Sequence, residues 1–155
     1  MLHITSLTLE ELVQKSRHSE RKRALSLLRS SDKGEIPAVM FNCLQPGTYV
    51  QPHMHPNEDG KEIWIPQGGV IRAVLFDENG EVGTHYDIAL HRTTFLEIPS
   101  RTYHTAIALE PDSIMCELYM GVYSPETYKQ FASWAPKEND PAHEKYLKSL
   151  ISRSS

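Results

Sequence analysis

The stretch Gly47-Thr48-Tyr49-Val50-Gln51-Pro52-His53-Met54-His55 is the one on which the fold turns. Its histidines stand two apart, just after the turn-forming Gln45-Pro46-Gly47. In an extended strand, residues two apart point to the same face. Two imidazoles on one face can grip one metal ion; the same pair also suits two polar side chains on a wet strand. The neighbouring sequence has to decide between these readings.

Around this stretch, residues 36–123 read as strands. Apolar runs at 39–44, 63–65, 70–76, 95–98, 105–109 and 114–123 are separated by turn signals at Pro46-Gly47, Asn57 to Gly60, Gly68-Gly69, Asp77 to Gly80 and Glu110-Pro111-Asp112. Asn79-Gly80 is the strongest hairpin signal, since both residues tolerate the positive φ of a tight turn. Many short strands with no helix-length interruption predict an all-β antiparallel barrel or sandwich and argue against a parallel βαβ sheet.

The flanks read differently, although the whole chain is taken as one domain (1–155). Residues 1–35 are expected to be a helical N-terminal segment, with Thr8 and Glu11 as a capping box and Leu9, Leu12 and Val13 as its apolar face. The basic residues Arg17, Arg21, Lys22, Arg23 and Arg29 suit a solvated helix face, or else a clamp for an anion at the barrel mouth. Residues 124–155 are expected to be helical again. One helix starts at Ser124-Pro125 and carries the stripe Tyr128, Phe131 and Trp134; a second is opened by Asp140-Pro141.

Composition bounds the function. The chain has 155 residues, 39% hydrophobic and 23% charged, which suits one soluble domain with a real core. A net charge of −4 gives no basic field for nucleic acid. No apolar run spans a membrane and the N-terminus lacks a signal-peptide core. Cys43 and Cys116 read as buried free thiols, which fits a cytoplasmic location.

Two further residues join His53 and His55 as candidate metal ligands. Glu62 opens a strand and His104 follows the turn Pro99 to Thr102. A closed barrel can project all four side chains into one lumen, with His104 closing the site across the barrel from the rigid His53/His55 pair. Three imidazoles and one carboxylate suit Zn, Fe, Ni or Mn and leave room for water or substrate. Glu62 has a rival reading as a surface carboxylate or a group that orients a histidine, with Glu58 and Asp59 as understudies. His85 and His91 read as rim residues. Arg23, Arg29, Tyr49, Arg72 and Tyr103 are the candidates for touching a ligand, with Glu117 as a further lumen residue.

These residues resemble the cupin superfamily. Gly47, His53, His55, Glu62 and Gly69 match its first motif, with a longer gap from His55 to Glu62 than many cupins have. Pro99 and His104 match its second, but Arg101 stands where a glycine is usual and Ala108 where an asparagine is usual. More narrowly, the chain resembles the WbuC-type cupin-fold metalloproteins found with bacterial surface-polysaccharide genes. That likeness is carried by Arg23 to Arg29, Glu97-Ile98-Pro99, Tyr103-His104, Gly121 to Pro125 and Phe131 to Pro136. The resemblance implies a jelly-roll β-barrel with an N-terminal helix and C-terminal helices. It also implies one divalent ion per chain, Fe or Zn before Ni or Mn, on His53, His55, Glu62 and His104.

The function expected is a metal-dependent isomerase, epimerase or dioxygenase acting on a sugar or sugar-derived acid, with no catalytic base assignable. The alternative is a non-enzymatic, metal-bound module that binds a saccharide or small anion. A regulatory cupin fits least, since no helix-turn-helix pattern accompanies the barrel. Exposed sheet edges need covering, which points to a homodimer.

Overall fold

The alternating apolar pattern becomes two five-stranded antiparallel sheets. The computed structural model describes residues 6–29, 37–124 and 126–152. Its elements are α1 (Ser6–His18), β1 (Arg23–Arg29), β2 (Ala38–Leu44), β3 (His53–Met54), β4 (Glu62–Gly68), β5 (Val70–Phe76), β6 (Val82–Ala89), β7 (Leu96–Ile98), β8 (Tyr103–Ala108), β9 (Ser113–Tyr119), β10 (Gln130–Phe131) and α2 (Ala142–Ser152). One sheet runs β1-β2-β9-β4-β7 and the other β10-β3-β8-β5-β6.

Side chains from both sheets meet between them. Leu44, Trp64 and Met115 from the first pack against Ile71, Ala73 and Ala106 from the second, all nearly sealed from solvent. The outer faces are covered as well. Helix α2 lays Leu147 and Leu150 over Val74, Phe76 and Ile107, and α1 lays Leu12 over Phe41, Cys43 and Ile114. Strands buried on both faces carry apolar residues in unbroken runs rather than alternation. That is why Val70–Phe76 reads as a continuous hydrophobic block.

The Asn79-Gly80 signal holds. Strands β5 and β6 form a hairpin, and Asp77 Oδ1 accepts the backbone N–H groups of Asn79 and Glu81, both at 2.9 Å. Strand β6 left little apolar signal because it is a sheet edge on which only Ile88 and Ala89 are buried.

Both flanks differ from expectation. The N-terminal helix begins at Ser6, ahead of the Thr8 cap, and stops at His18. Lys22 then takes φ +53° and reverses the chain. Residues 23–29 form β1, because their alternation lets them pair with β2. The expected helix from Ser124 also gives way. Pro125 lies outside the described residues; beyond it the chain runs in turns to β10, which pairs with β3. Of the stripe, Tyr128 packs on His55 and Tyr119 and Trp134 on Phe76 and Tyr103, from an extended strap rather than a helix, whereas Phe131 is 57% exposed. The strap follows the rim, where Ala132 N–H donates to the Pro52 carbonyl at 2.9 Å. Only the second expected helix forms. It is α2, capped by Asp140 Oδ1, which accepts the Ala142 N–H at 2.8 Å. The barrel sheets thus extend past residues 36 and 123 at both ends.

Gly69 shows why the β4–β5 turn needs glycine. It has φ +63°, and a Cβ there would lie 2.5 Å from Ser113 Oγ and 2.8 Å from Ser113 Cα. Ser113 cannot retreat, since it is fully buried and its hydroxyl donates to the Val70 and Glu110 carbonyls. Gly69→Ala is expected to cost about 2 kcal/mol or more, from left-handed backbone strain plus the clash. Urea unfolding measures it, and a loss below ~0.5 kcal/mol would show that the turn relaxes freely.

Candidate metal centre

His53, His55, Glu62 and His104 come together, each at least 97% buried. One potential ligand atom from each lies within 4.8 Å of the others. The register explains the convergence. His53 on β3 sits directly opposite His104 on β8, and His55 follows two residues on, on the same face. Glu62 opens β4 in the other sheet. It is therefore Glu62, not His104, that closes the site across the barrel: His104 belongs to the strand hydrogen-bonded to β3.

Each imidazole is held by its other nitrogen. The Nδ1 atoms of His53, His55 and His104 contact the carbonyls of Gln51 (2.9 Å), Tyr128 (2.6 Å) and Thr102 (2.8 Å). A carbonyl can only accept, so each Nδ1 carries the proton and donates it. Each Nε2 is left facing the centre, as in histidines oriented for metal ligation. Burial holds His53 well below the ordinary imidazole value, aided by the charge of Lys129 and by His104. A neutral ring is what a metal ligand requires.

Glu62 faces two of these nitrogens. His55 Nε2 lies 2.5 Å from its Oε1 and His104 Nε2 3.2 Å from its Oε2. Trp64 Nε1 donates to Oε2 at 2.9 Å and fixes the group's orientation. Close as they are, His55 Nε2, His104 Nε2 and Glu62 Oε1 are buried without a hydrogen bond of proper geometry. Lone pairs of neutral rings crowded onto a carboxylate are repulsive unless a cation, a proton or a metal, sits where they converge. The donor set therefore fits a divalent ion.

The turn before His104 survives its unusual residue. Arg101 adopts φ +59°, the left-handed conformation that glycine takes without strain. It is anchored there by its N–H on the His55 carbonyl at 2.9 Å and by its guanidinium on Pro56 O and Glu58.

The centre opens into a cavity of about 380 Å³. Its wall includes Asn42, Gln51, Glu117, Tyr123, Tyr128 and Lys129. Glu117 was expected there, and it is 95% buried. Asn42 Nδ2 donates to its Oε2 at 2.8 Å, whereas Oε1 has no partner. Burial, and next the charge of Glu62, push the Glu117 carboxyl well above its ordinary value. Asn42, Tyr128 and Lys129 were not anticipated. A backbone carbonyl such as that of Tyr128 leaves no trace in residue identity, and Lys129 reaches the cavity only because the strap replaces a helix.

Three expected ligand contacts point elsewhere. Arg72 lies between the inward Ile71 and Ala73, so alternation turns it outward onto Asp87, at 2.6 and 2.8 Å. Tyr103, next to His104, faces the strap and packs on Trp134. Tyr49 packs under α2 and donates to the Pro136 carbonyl at 2.7 Å. Arg29 ends β1, and its side chain lies outside the described ones.

Arg23 does stand at the cavity mouth, but its charge is already engaged. Glu138 receives Arg23 at 2.7 Å and Arg21 through two contacts of 2.6 Å, while Arg23 Nη1 also donates to the Tyr49 carbonyl at 2.8 Å. Arg17 similarly pairs with Asp112. Burial pushes Glu138 up, yet the two guanidiniums hold it below the usual range. Its contribution to stability is therefore present above the unfolded glutamate value of about 4.3 and is lost as pH falls through the lower native value. Glu138→Gln is expected to cost up to about 1 kcal/mol at neutral pH. Urea unfolding at a series of pH values should show the two proteins converging in acid; a constant gap would rule out the ion pair as its source.

Comparison with known proteins comes to the same architecture. The family described as "Domain of unknown function (DUF6016)" matches residues 4–88, more than half of the chain, and the chain belongs to it. The matched stretch includes His53, His55 and Glu62 and ends before His104. No curated protein matches in sequence. Among solved structures, KdgF from Halomonas sp. is similar with 19% identity and TM-score 0.52, over 67% of this chain and 83% of that one. An uncharacterized conserved protein with a double-stranded β-helix domain from Klebsiella pneumoniae has 19% identity and TM-score 0.59, over 86% and 99%. The capsular polysaccharide assembling protein CapF from Staphylococcus aureus has 16% identity and TM-score 0.62, over 73% of this chain and 32% of its own length. The fold is that of the cupin superfamily.

Proposed function

We propose that this chain is a metal-dependent cupin that binds, and in its metal-loaded form acts on, a sugar or sugar-derived acid. The observation that carries the proposal is the orientation of three imidazoles by backbone carbonyls, so that their free nitrogens and Glu62 converge on one point. Three nitrogens and one carboxylate oxygen favour Fe(II) or Zn(II), with Ni(II) and Mn(II) next. Bound there, the ion would supply Lewis acidity toward an oxygen of the ligand. The chain itself keeps the site dry below with Trp64, Ala106 and Met115 and lines the approach with Asn42, Gln51 and Glu117.

Two sources support a place in surface-polysaccharide metabolism: the WbuC-type likeness of the sequence and the structural likeness to a capsular polysaccharide assembling protein. Free Cys43 and Cys116 support a cytoplasmic setting. Strand β1 is a sheet edge with Leu25 and Leu27 exposed, which supports pairing with a second copy.

Elemental analysis of untagged protein is expected to find about one first-row metal ion per chain. His104→Ala should lower both the metal content and the extra stability of the metal-loaded protein, leaving the metal-free protein nearly unchanged. Trp64→Phe, which keeps the bulk but removes the donor to Glu62, should weaken metal binding about 10–100-fold. Full metal content in His104→Ala would refute the ligand set. Incubation of the loaded protein with sugar acids separates enzyme from binder: product formation marks an enzyme, and saturable binding without product marks a binding module.

A further inference from the structure

Charge around the cavity is unevenly settled. The guanidiniums of Arg21 and Arg23 are spent on Glu138. Lys129 is not: among the described residues it makes no ion pair, and its ammonium lies over the face of the Tyr128 ring, 5.0 Å from the centroid. It is half-buried in the cavity wall. It stands one residue before β10, whose Phe131 lies opposite His53, so its position is set by the same strap that orients His55. Its positive charge is felt at both His53 and Glu117. An ammonium in a cavity wall with no carboxylate paired to it is available to an anionic group of a ligand.

We infer that Lys129 is the carboxylate anchor of the cavity, and that the ligand is a polyhydroxy monocarboxylic acid. This rests on the proposed metal-centre reading for the ligand's other end. Three features of the wall select the class. Asn42 and the unpartnered Glu117 Oε1, aligned on the cavity side of β2 and β9, offer hydrogen bonds to hydroxyls. Tyr123 and Phe131 give aromatic surface for the C–H side of a sugar ring. A dianionic phosphate is matched less well, because Arg21 and Arg23 are already paired with Glu138 and the one remaining ammonium would have to offset two charges.

The test titrates D-glucuronate, its neutral methyl ester and glucose 6-phosphate into wild-type, Lys129→Met and Lys129→Arg protein by calorimetry, with the metal content of each sample measured. Wild type is expected to bind glucuronate best. Lys129→Met should weaken glucuronate about tenfold or more, leave the ester unchanged, and retain the metal; Lys129→Arg should recover most of the loss. The assignment is overturned if Lys129→Met binds glucuronate as wild type does, if the phosphate binds better than the carboxylate, or if none of the three probes binds. Lys129-dependent discrimination in protein that takes up no metal would uphold the anchor and sink the metal reading. Full metal with no such discrimination would do the reverse.

Discussion

A carboxylate buried between two sheets is the constraint around which this barrel is arranged. Glu62 is 1% exposed, and an isolated charge there would be prohibitively costly. It is retained because Trp64 donates to one oxygen, and because the carboxylate and the imidazole nitrogens converge on a place that fits a cation. Those imidazoles are in place only because their Nδ1 protons are taken by carbonyls of separate backbone segments. Shifting any of these segments by one residue would turn a histidine out of the lumen.

The strap after β9 links the site to the rest of the molecule. It presents the Tyr128 carbonyl to His55, adds β10 beside β3, carries Lys129 into the cavity, and seats Trp134 against Phe76. Further on, it delivers Glu138 to Arg21 and Arg23, which ties the C-terminal region to the turn before β1. Arg17, Arg21 and Arg23 thus serve the chain's own carboxylates, and the cation left for a ligand comes from the strap.

Much of the site was legible before the structure. His53 and His55 share a face because the strand period is two, and Gly69 marks a turn with no room for a Cβ. The second motif survived a substitution that its pattern disfavours, since Arg101 accepts a left-handed backbone and pins it with its own hydrogen bonds. Ligand-contact candidates fared worse. Arg72 and Tyr103 are neighbours of inward-facing residues, and a one-residue uncertainty in strand phase sends a side chain to the opposite face.

The sequence by itself determined the all-β class, the hairpin at Asn79-Gly80 and the helix opened by Asp140-Pro141, while the four residues that converge were named through their likeness to the cupin motifs. The first three follow from local periods and turn chemistry, which act over a few residues. Only the tertiary structure decided that residues 23–29 pair as a strand, that the aromatic stripe lies along the rim as a strap, that Glu62 rather than His104 bridges the sheets, and that Lys129 rather than Arg23 makes no ion pair among the described residues. Each of these depends on which distant backbone supplies hydrogen-bond partners and which distant carboxylate neutralises a cation. Neither choice is encoded in the identity or spacing of nearby residues.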